Sequence, residues 1–395
     1  MVKTYKILVL SPFYREFVKG IVDAMANDIS EIGVLVHHNR LSEVSRYIPL
    51  GGYFSWVRTF TAERLIDATS RPDNVNVTVC SMTYLVPDGR NTRLGDAIVK
   101  RIDGLIEKNR LKFDLVQGHF TWPCGYAAVK LGAKHKKPAI VVVHEDRDWL
   151  LRMAGSPDSR FRMTWKNANG LVRVNKIDIP VLKEYNENVV HAPGGFNPSI
   201  FYPISREAAR SAVGISGEQK VIFGLGYLDT RKGFQFLIQA MQDLVKTNPN
   251  LICIIGGTGP TWGELERQAR TLGVDRNVRF AGFISRKELN NYYNAADIFV
   301  LPSLSEGNPT VMFEALSCGT PFIGTPVGGV PEVINSDSYG LLANTGSASD
   351  LAVKIERGLG ISWDHARISA YAQTYSWENA VKPILELHRT LISPL

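Results

Sequence analysis

Short apolar runs alternate with segments of helical period along most of the 395-residue chain. Leu237, Met241 and Leu244, for example, recur at helical spacing directly after an apolar run that ends at Gly226. Continuous apolar strands separated by helices are typical of parallel sheets that are covered on both faces, so the pattern predicts an α/β protein. The predicted strands are 5–10, 75–80, 115–117, 139–144, 220–226, 251–256, 278–281, 298–301 and 321–324, and the first half also contains predicted helices at 92–108 and 125–132.

A segment rich in proline and glycine, residues 192–203, interrupts this alternation. We interpret it as a linker between two doubly wound, Rossmann-like domains at 1–195 and 196–375. The remaining segment, 376–395, carries a helical pattern with no strand after it, and we expect it to pack back on the first domain. Ligands of such sheets bind beyond the carboxyl ends of the strands, so two facing domains predict a central cleft.

Two glycine-containing turns follow strands of the predicted second domain. The turn at 224–233 ends in Arg231 and Lys232 ahead of a helix, where cations beside free N–H groups suit a diphosphate. The turn at 256–260, with the sequence GGTGP, indicates by itself only a strand, a tight turn and a helix. Each turn alone is also typical of an exposed loop, so the hypothesis of a phosphate site depends on the segment that follows.

That segment, 302–315, reads PSLSEGNPTVMFEA directly after a predicted strand. Pro309 is suited to the first turn of a helix, which would leave the N–H groups of Thr310 and Val311 as unpaired donors. Glu306 then lies in the loop and Glu314 inside the helix. The spacing predicts two carboxylates that hold hydroxyl groups on the rings at either side of a diphosphate.

These segments together resemble the signature of the retaining GT-B glycosyltransferases, the group 1 or family 4 type that includes many mannosyl- and glucosyltransferases. The resemblance covers most of residues 190–390. It implies the GT-B fold and transfer of a hexose from a nucleotide-diphosphate sugar to a hydroxyl of a sugar, glycan or lipid-linked acceptor, with no further cofactor and no metal. The segments that carry it are the Glu306–Glu314 spacing, the G-x-P run at 319–321, the GG-x-x-E turn at 328–332, the turns at 226–233 and 256–260, and NVRFAGF at 277–283.

By this resemblance, Lys232 would bind the donor phosphates, Glu314 the ribose and Glu306 the transferred sugar. Tyr227 is a departure, because the family usually has arginine at this position of the phosphate turn, and Arg231 could supply the missing charge. Phe283 and Ile284 would lie near the base. The donor-binding residues implied by the resemblance are Gly226, Arg231, Lys232, Gly257, Phe283, Ile284, Glu306, Gly307, Asn308, Thr310, Val311 and Glu314.

The predicted first domain offers two histidines at strand ends, His119 and His144, and a nearby Trp122 in the run QGHFTWPCG. An isolated histidine at such a place is more often a hydrogen-bonded structural group. The resemblance, however, shows a strand-end histidine at both positions, and it implies that His144 is catalytic together with Glu306 and Lys232. His119 and Trp122 would shape the acceptor side. We interpret the D-x-D sequence at 146–148 as a coincidence rather than a metal site.

The net charge of +7 is confined to the first half, where residues 1–195 hold 28 Lys and Arg against 20 Asp and Glu. An excess of this kind is found on ordinary solvated surfaces and on surfaces that attract anionic lipid, so an acceptor at a membrane surface is one hypothesis. Four cysteines far apart in sequence indicate buried thiols in a reducing compartment. With no apolar run of membrane-spanning length, we expect a cytoplasmic protein, peripheral at the inner face of the membrane.

Two other functions remain open from the sequence. A nucleotide-sugar epimerase or hydrolase of related fold would consume the donor without an acceptor, and a non-catalytic subunit would bind the donor without turnover. Nucleic-acid binding is not expected, since no recognised motif for it occurs.

Overall fold

The computed structural model describes residues 5–46, 60–67, 69–84, 94–216 and 218–392, and the chain divides into two units. Unit 1 comprises Met1–Pro193 with Trp377–Leu395, and unit 2 comprises Gly194–Ser376. Each unit contains one parallel sheet with helices, which confirms the predicted α/β fold with two Rossmann-like domains. No helix in the described part of the chain is long and apolar enough to cross a membrane.

In unit 1 the described residues form a seven-stranded parallel sheet of order β3-β2-β1-β4-β5-β6-β7. The strands are β1 (Lys6–Ser11), β2 (Glu31–Asn39), β3 (Val75–Met82), β4 (Leu115–His119), β5 (Ala139–Val143), β6 (Gly170–Arg173) and β7 (Val189–His191). The helices of its first segment are α1 (Glu16–Met25), α2 (Ala62–Leu65), α3 (Leu94–Asn109), α4 (Tyr126–His135), α5 (Arg147–Ala154), α6 (Arg160–Asn167) and α7 (Ile179–Lys183). From β1 the sheet grows in one direction through β2 and β3, and in the other direction from β4 onward. In sheets of this kind ligands bind beyond the carboxyl ends of the strands at the point where the order reverses.

In unit 2 the described residues form a six-stranded parallel sheet of order β10-β9-β8-β11-β12-β13. The strands are β8 (Val221–Leu225), β9 (Ile252–Gly256), β10 (Val278–Gly282), β11 (Ile298–Leu301), β12 (Phe322–Gly324) and β13 (Gly340–Leu342). The helices are α8 (Arg206–Val213), α9 (Phe234–Thr247), α10 (Trp262–Thr271), α11 (Arg286–Ala295), α12 (Thr310–Ser317), α13 (Val330–Val333), α14 (Ala348–Gly360) and α15 (His365–Ala372). The apolar repeat Leu237, Met241 and Leu244 lies on the buried face of α9, as its spacing predicts.

Two helices end the chain, α16 (Trp377–Ala380) and α17 (Lys382–Ile392), and both belong to unit 1. The Trp377 indole fills the space beside Gly20 of α1, where a Cβ atom would lie 2.2 Å from Nε1 of the ring. Leu387 packs over Gly170 at the start of β6. The final segment is therefore part of the core of unit 1.

The sequence pattern missed several strands, of which β2 is the longest. Its sequence EIGVLVHHN is not a continuous apolar run, because it ends in His37, His38 and Asn39. Both histidines are nevertheless buried, and one nitrogen of each ring has a hydrogen-bond partner: Nε2 of His37 lies 2.9 Å from the Tyr84 hydroxyl, and Nδ1 of His38 lies 2.9 Å from the Ser81 hydroxyl. The strands β6, β7 and β13 have only three or four residues each, too short for a periodic signal.

Candidate functional site

The loop after β11 brings a buried carboxylate against two cations of the turn after β8. Glu306 is only 5% exposed, and its Oε1 lies 2.6 Å from the Nζ atom of Lys232. The other oxygen, Oε2, lies 3.4 Å from Nη1 of Arg231. The three charged residues that the sequence placed on two separate turns therefore converge at the carboxyl ends of neighbouring strands.

Hydrogen bonds between the two turns hold this cluster in place. The amide of Leu304 donates to the carbonyl of Arg231 at 2.7 Å, and the Arg231 guanidinium donates to the carbonyl of Ser305 at 3.0 Å. The Ser303 hydroxyl donates to Oε1 of Glu306 at 2.7 Å, while Thr325 donates to the carbonyl of Ser303. The carboxylate thus has a fixed position before any ligand arrives.

The charge on Glu306 is maintained by its neighbours. Burial by itself raises the pKa of a carboxyl group. The ammonium of Lys232, the guanidinium of Arg231 and the hydrogen bonds from Lys232 and Ser303 outweigh burial and hold the pKa of Glu306 below its usual value. The site therefore presents an ionised carboxylate beside two cations at neutral pH.

Gly233 lets the cationic turn lie directly against the Glu306 loop. Asp229 caps the short helical turn Thr230–Lys232 by accepting from the amide of Lys232, and Gly233, at a φ of +71°, is the residue directly before α9. A Cβ atom at this position would lie 1.9 Å from the carbonyl oxygen of Pro302. No side chain fits there without moving Lys232 away from Glu306.

Helix α12 carries the second carboxylate, Glu314, which is 9% exposed. The Tyr293 hydroxyl of α11 donates to its Oε2 at 2.8 Å. Burial and the Glu314 charge together raise the pKa of that hydroxyl well above its usual value, so it remains a donor. Thr310 and Val311 form the first turn of α12 after Pro309, where helical N–H groups have no partner inside the helix.

The loop between β11 and α12 is also bound to the turn that follows β12. The amide of Gly329 donates to the carbonyl of Gly307 at 2.8 Å. Asn308 packs beside Gly329, where a Cβ atom would lie 2.8 Å from its Cγ. The GG-x-x-E segment of the sequence therefore supports the loop that holds Glu306.

Close backbone contacts join the ends of β8, β9 and β10. Gly226 donates its amide to Gly256 at 3.2 Å, and Gly257 donates to Gly282 at 2.7 Å. Gly257 has a φ of +114°, and a Cβ atom there would lie 1.9 Å from the carbonyl oxygen of Gly226, so this position requires glycine. These turns present backbone rather than side chains beside Lys232.

Three neighbouring side chains differ in how far they can reach a ligand. The ring of Phe283 is 81% exposed, directly after β10, and is free to stack on a planar group. The side chain of Ile284 is buried and packs beside Gly256, so only the backbone atoms of Ile284 are available to contact a ligand. Tyr227, which occupies the position where arginine was expected, is 43% exposed.

In unit 1 the two strand-end histidines lie side by side. Nδ1 of His119 is 2.9 Å from Nε2 of His144, and the two rings are nearly coplanar. His119 is fully buried and His144 is half-buried between the rings of Phe17 and Phe120. Burial lowers the pKa of His119 to about 3, and burial, His119 and Arg173 lower the pKa of His144 well below its usual value. Both rings are neutral at pH 7.

Trp122 of the predicted acceptor side and Asp146 of the D-x-D sequence both have structural partners. Trp122 is buried and packs against Tyr126, Phe161 and Gly95, a position that favours a packing role for its ring. Asp146 of the D-x-D sequence accepts from the amide of Trp149 and so caps α5. Across the described ranges, no three His, Cys, Asp or Glu side chains are grouped so that they could hold a metal ion.

Several supporting residues were not found from the sequence. Ser303, Thr325 and Tyr293 are common residue types in positions that carry no periodic or motif signal. Ser303 lies three residues before Glu306, so a polar residue inside the motif was the one available indication. Tyr293 belongs to a different helix from Glu314, and only the tertiary fold brings the two together.

The buried histidines make unit 1 sensitive to acid. In the folded chain, burial chiefly lowers the pKa of His119 and His388 to about 3, whereas an unfolded histidine titrates near 6.5. As pH falls below about 6.5 the unfolded chain binds protons that the folded chain does not, so stability present above that pH is lost on the way toward pH 3. Each such histidine contributes a slope of about 1.4 kcal/mol per pH unit.

We therefore expect the urea midpoint of unit 1 to fall less between pH 7.5 and pH 5.5 in His388→Gln than in the unmodified protein. His365→Gln, in unit 2, is the matched control and should leave that pH dependence of unit 1 unchanged. Equal pH slopes for His388→Gln and the unmodified protein would show that His388 is not held neutral.

Residues 205–375 match the protein family described as glycosyl transferases group 1. Among curated relatives, the chain is 35% identical over 198 residues to the D-inositol 3-phosphate glycosyltransferase of Corynebacterium urealyticum. That alignment covers 47% of this chain and 46% of the relative, so it spans about half of each protein. The matched family segment contains Lys232, Glu306 and Glu314.

Two solved structures share the fold along almost the whole chain. Sucrose-phosphate synthase from Thermosynechococcus elongatus superposes with a TM-score of 0.77 at 19% identity, covering 98% of this chain and 99% of that structure. An Anabaena protein solved in complex with UDP and glucose superposes with a TM-score of 0.74 at 17% identity, covering 99% and 100%. The fold class is therefore that of the GT-B proteins, as the sequence resemblance implied.

Proposed function

We propose that the chain transfers a hexose from a nucleotide-diphosphate sugar to an acceptor hydroxyl, with retention of the anomeric configuration, because its residues 205–375 match the group 1 glycosyl transferases. The observation that carries the proposal is the buried carboxylate of Glu306, held 2.6 Å from the Lys232 ammonium and 3.4 Å from the Arg231 guanidinium. Such a cluster offers cations to a leaving diphosphate and an acid to the hydroxyl groups of a sugar.

Lys232 is the proposed ligand of the donor phosphates, with Arg231 beside it. An ammonium has three N–H donors, of which the contact to Glu306 uses one. The other two are suited to phosphate oxygens, and the N–H groups of Thr310 and Val311 at the start of α12 add a favourable helix dipole. This combination places fixed positive charge where the negative charge of the leaving group develops.

The remaining donor contacts that we propose are those that the sequence resemblance implies. Glu314 is the proposed ligand of the ribose hydroxyls, with its second oxygen fixed by Tyr293. Gly226 and Gly257 provide backbone beside the diphosphate, Gly307 and Asn308 lie next to the sugar, and Phe283 with the backbone of Ile284 lies near the base. The bound UDP and glucose of the Anabaena protein support a uridine donor as the first candidate.

In the proposed reaction the acceptor oxygen attacks the anomeric carbon on the face that the diphosphate leaves. The bond between that carbon and the phosphate oxygen breaks, and the proton of the acceptor hydroxyl passes to the leaving phosphate oxygen. Lys232 and Arg231 stabilise the negative charge, Glu306 orients the sugar, and His144 contacts the reacting sugar or its acceptor.

The acceptor is proposed to carry an anionic group. The supporting observations are the positive charge of residues 1–195 and the phosphorylated compounds in the names of two similar proteins, D-inositol 3-phosphate glycosyltransferase and sucrose-phosphate synthase. A lipid-linked acceptor is favoured by a different observation. Trp149 and Leu151 of α5 are exposed beside Arg152, a combination suited to docking at an anionic membrane surface.

The function is tested by measuring donor consumption with and without acceptor. A thermal-shift screen of nucleotide-sugars selects the donor, and product analysis then follows release of nucleoside diphosphate with sugar phosphates or with anionic vesicles carrying a lipid-linked sugar. Acceptor-dependent release with a retained anomeric configuration is the expected result. Consumption without acceptor would instead identify a hydrolase or epimerase, and binding without turnover would identify a non-catalytic subunit.

The two carboxylates are predicted to affect different kinetic constants. Glu314→Gln is expected to raise the KM for the donor by roughly 10- to 100-fold, because a hydrogen bond to a charged group is lost. Glu306→Gln is expected to lower kcat instead, since it acts on the reacting sugar. Glu356→Gln on the exposed side of α14 is the control. Full transfer by Glu306→Gln would remove Glu306 from the mechanism.

A further inference from the structure

A line of buried polar side chains crosses unit 1 from the last helix to the end of β5. Oε1 of Gln117 on β4 is 2.9 Å from Nε2 of His388 on α17, and its Nε2 is 2.9 Å from Nε2 of His119. His119 in turn is 2.9 Å from His144 through its Nδ1. Gln117, His119 and His388 are all fully buried, so this chain of hydrogen bonds runs through the core and ends at the half-buried ring of His144. We call these four residues the relay, in the sense that each one orients the next.

The direction of every hydrogen bond in the relay follows from Gln117. An amide nitrogen can only donate and an amide oxygen can only accept. Nε2 of His119 therefore accepts, and the proton of this neutral ring lies on Nδ1, from which it is donated to Nε2 of His144. At the other end His388 donates from Nε2 to Gln117, and its Nδ1 faces the Tyr5 hydroxyl at 3.4 Å.

This order requires that the rings be neutral, because an imidazolium donates from both nitrogens. Burial lowers the pKa of His119 and of His388 to about 3. The pKa of His144 is lowered well below its usual value by burial, by His119 and by Arg173. At neutral pH each ring therefore has one donor and one acceptor, and the relay specifies which nitrogen is which.

We propose that Gln117, His119 and His388 are positioning residues, which hold His144 in the tautomer protonated at Nδ1. Nε2 of His144 is committed as the acceptor from His119, so the nitrogen that His144 offers to a substrate is a hydrogen-bond donor and not a base. Resting on the proposed function, this means that His144 binds an oxygen of the reacting sugar or its acceptor. The proton of the acceptor hydroxyl then passes to the leaving phosphate.

The relay also gives the last helix a role in the site. His388 is carried by α17, which is fixed to the rest of unit 1 by the ion pair between Arg389 and Asp28 and by the packing of Leu387 over Gly170. Gln117 would be able to rotate its amide by half a turn if the His388 ring did not donate to Oε1. Through the contact between Nε2 of His388 and Oε1 of Gln117, α17 therefore takes part in the hydrogen-bond order that specifies the tautomer of His144.

Long-range proton–nitrogen NMR on the full-length protein labelled with ¹⁵N-histidine tests the proposal directly. At pH 7.5 we expect His144 and His119 to be protonated at Nδ1 and His388 at Nε2, with signals assigned by loss in His→Gln variants. Through-bond correlations from the backbone to each imidazole ring assign the same signals in the unmodified protein if a variant does not fold. A His144 ring protonated at Nε2 would overturn the proposal.

Breaking the relay gives a second test. Gln117→Met keeps the size of the side chain without a donor or acceptor, and we expect a mixed tautomer at His144 and a kcat lower by about 10-fold, with the donor KM unchanged. Gln268→Met on α10 is the matched control and should alter neither. An unchanged His144 tautomer in Gln117→Met would contradict the relay. Absence of transfer by the unmodified protein would refute the proposed function and leave the NMR result standing.

Discussion

Replacing Lys232 by methionine is expected to lower kcat/KM for the donor by roughly 10²- to 10³-fold, the effect of removing one preorganised donor from a site of developing negative charge. The Nζ atom of Lys232 is 2.6 Å from Glu306 and lies in the turn that carries Arg231. The measurement is steady-state release of nucleoside diphosphate at varied donor concentration. Lys246→Met is the control, because that ammonium is paired with Asp243 on the exposed surface of α9.

The loss of Lys232 also affects folding, since it leaves the buried carboxylate of Glu306 with less compensation. Breaking a buried ion pair costs about 3–5 kcal/mol, so the melting temperature of Lys232→Met should fall as well. The double variant Lys232→Met/Glu306→Gln removes both charges and should recover part of that stability without recovering transfer. Wild-type transfer by either variant would show that Lys232 does not bind the phosphates.

Gly233→Ala is expected to reduce transfer by about 100-fold, because a shift of about 1 Å in a positioning group has an effect of that size. The new Cβ atom would lie 1.9 Å from the carbonyl oxygen of Pro302 and would push the Lys232 turn away from the Glu306 loop. Gly273→Ala is a closely matched control. Its φ of +70° is nearly that of Gly233 at +71°, but a Cβ atom there meets nothing within 4 Å.

Comparing the two alanine variants separates backbone strain from the contact between the turns. Both should lose some stability in a thermal melt, because both force alanine into the left-handed region. Only Gly233→Ala should lose transfer activity. If Gly273→Ala lost as much activity as Gly233→Ala, the close approach of the two turns would not be the cause.

The sequence predicted the parts of the fold that apolar continuity determines. The strand β11 has the predicted bounds 298–301, because four large apolar residues form an uninterrupted buried run. The strand β2 was missed because His37 and His38 disrupt its apolar run. Their burial depends on hydrogen bonds to Tyr84 and Ser81, more than 40 residues away in sequence.

In the candidate site, too, local sequence indicated some features, whereas contacts between distant residues could not be predicted. The residue types and spacing around Lys232, Glu306 and Glu314 led to the prediction of a binding site for a diphosphate and two rings, and the structure brings Lys232 and Glu306 of this set together. The direct pairing of Lys232 with Glu306 was not predicted, because it depends on the packing of two turns 74 residues apart. The contact between Gln117 and His388 joins residues 271 positions apart, and nothing in the local sequence indicates it.

The proposed phosphate site and an acid can share one small volume because the carboxylate and the cations compensate each other. Arg231 and Lys232 keep Glu306 ionised in spite of its burial, and Glu306 in return neutralises two cations that would otherwise repel each other. A diphosphate with an attached sugar can add to this arrangement without a large rearrangement of side chains, since the ammonium has further donors for it.

The most direct test of the nucleotide-sugar site is a crystal structure of the protein with the donor that gives the largest thermal shift. We predict phosphate oxygens about 3 Å from Nζ of Lys232, the ribose hydroxyls on Glu314 and the sugar against Glu306. A diphosphate bound elsewhere in the protein, with Lys232 still paired only with Glu306, would contradict the account.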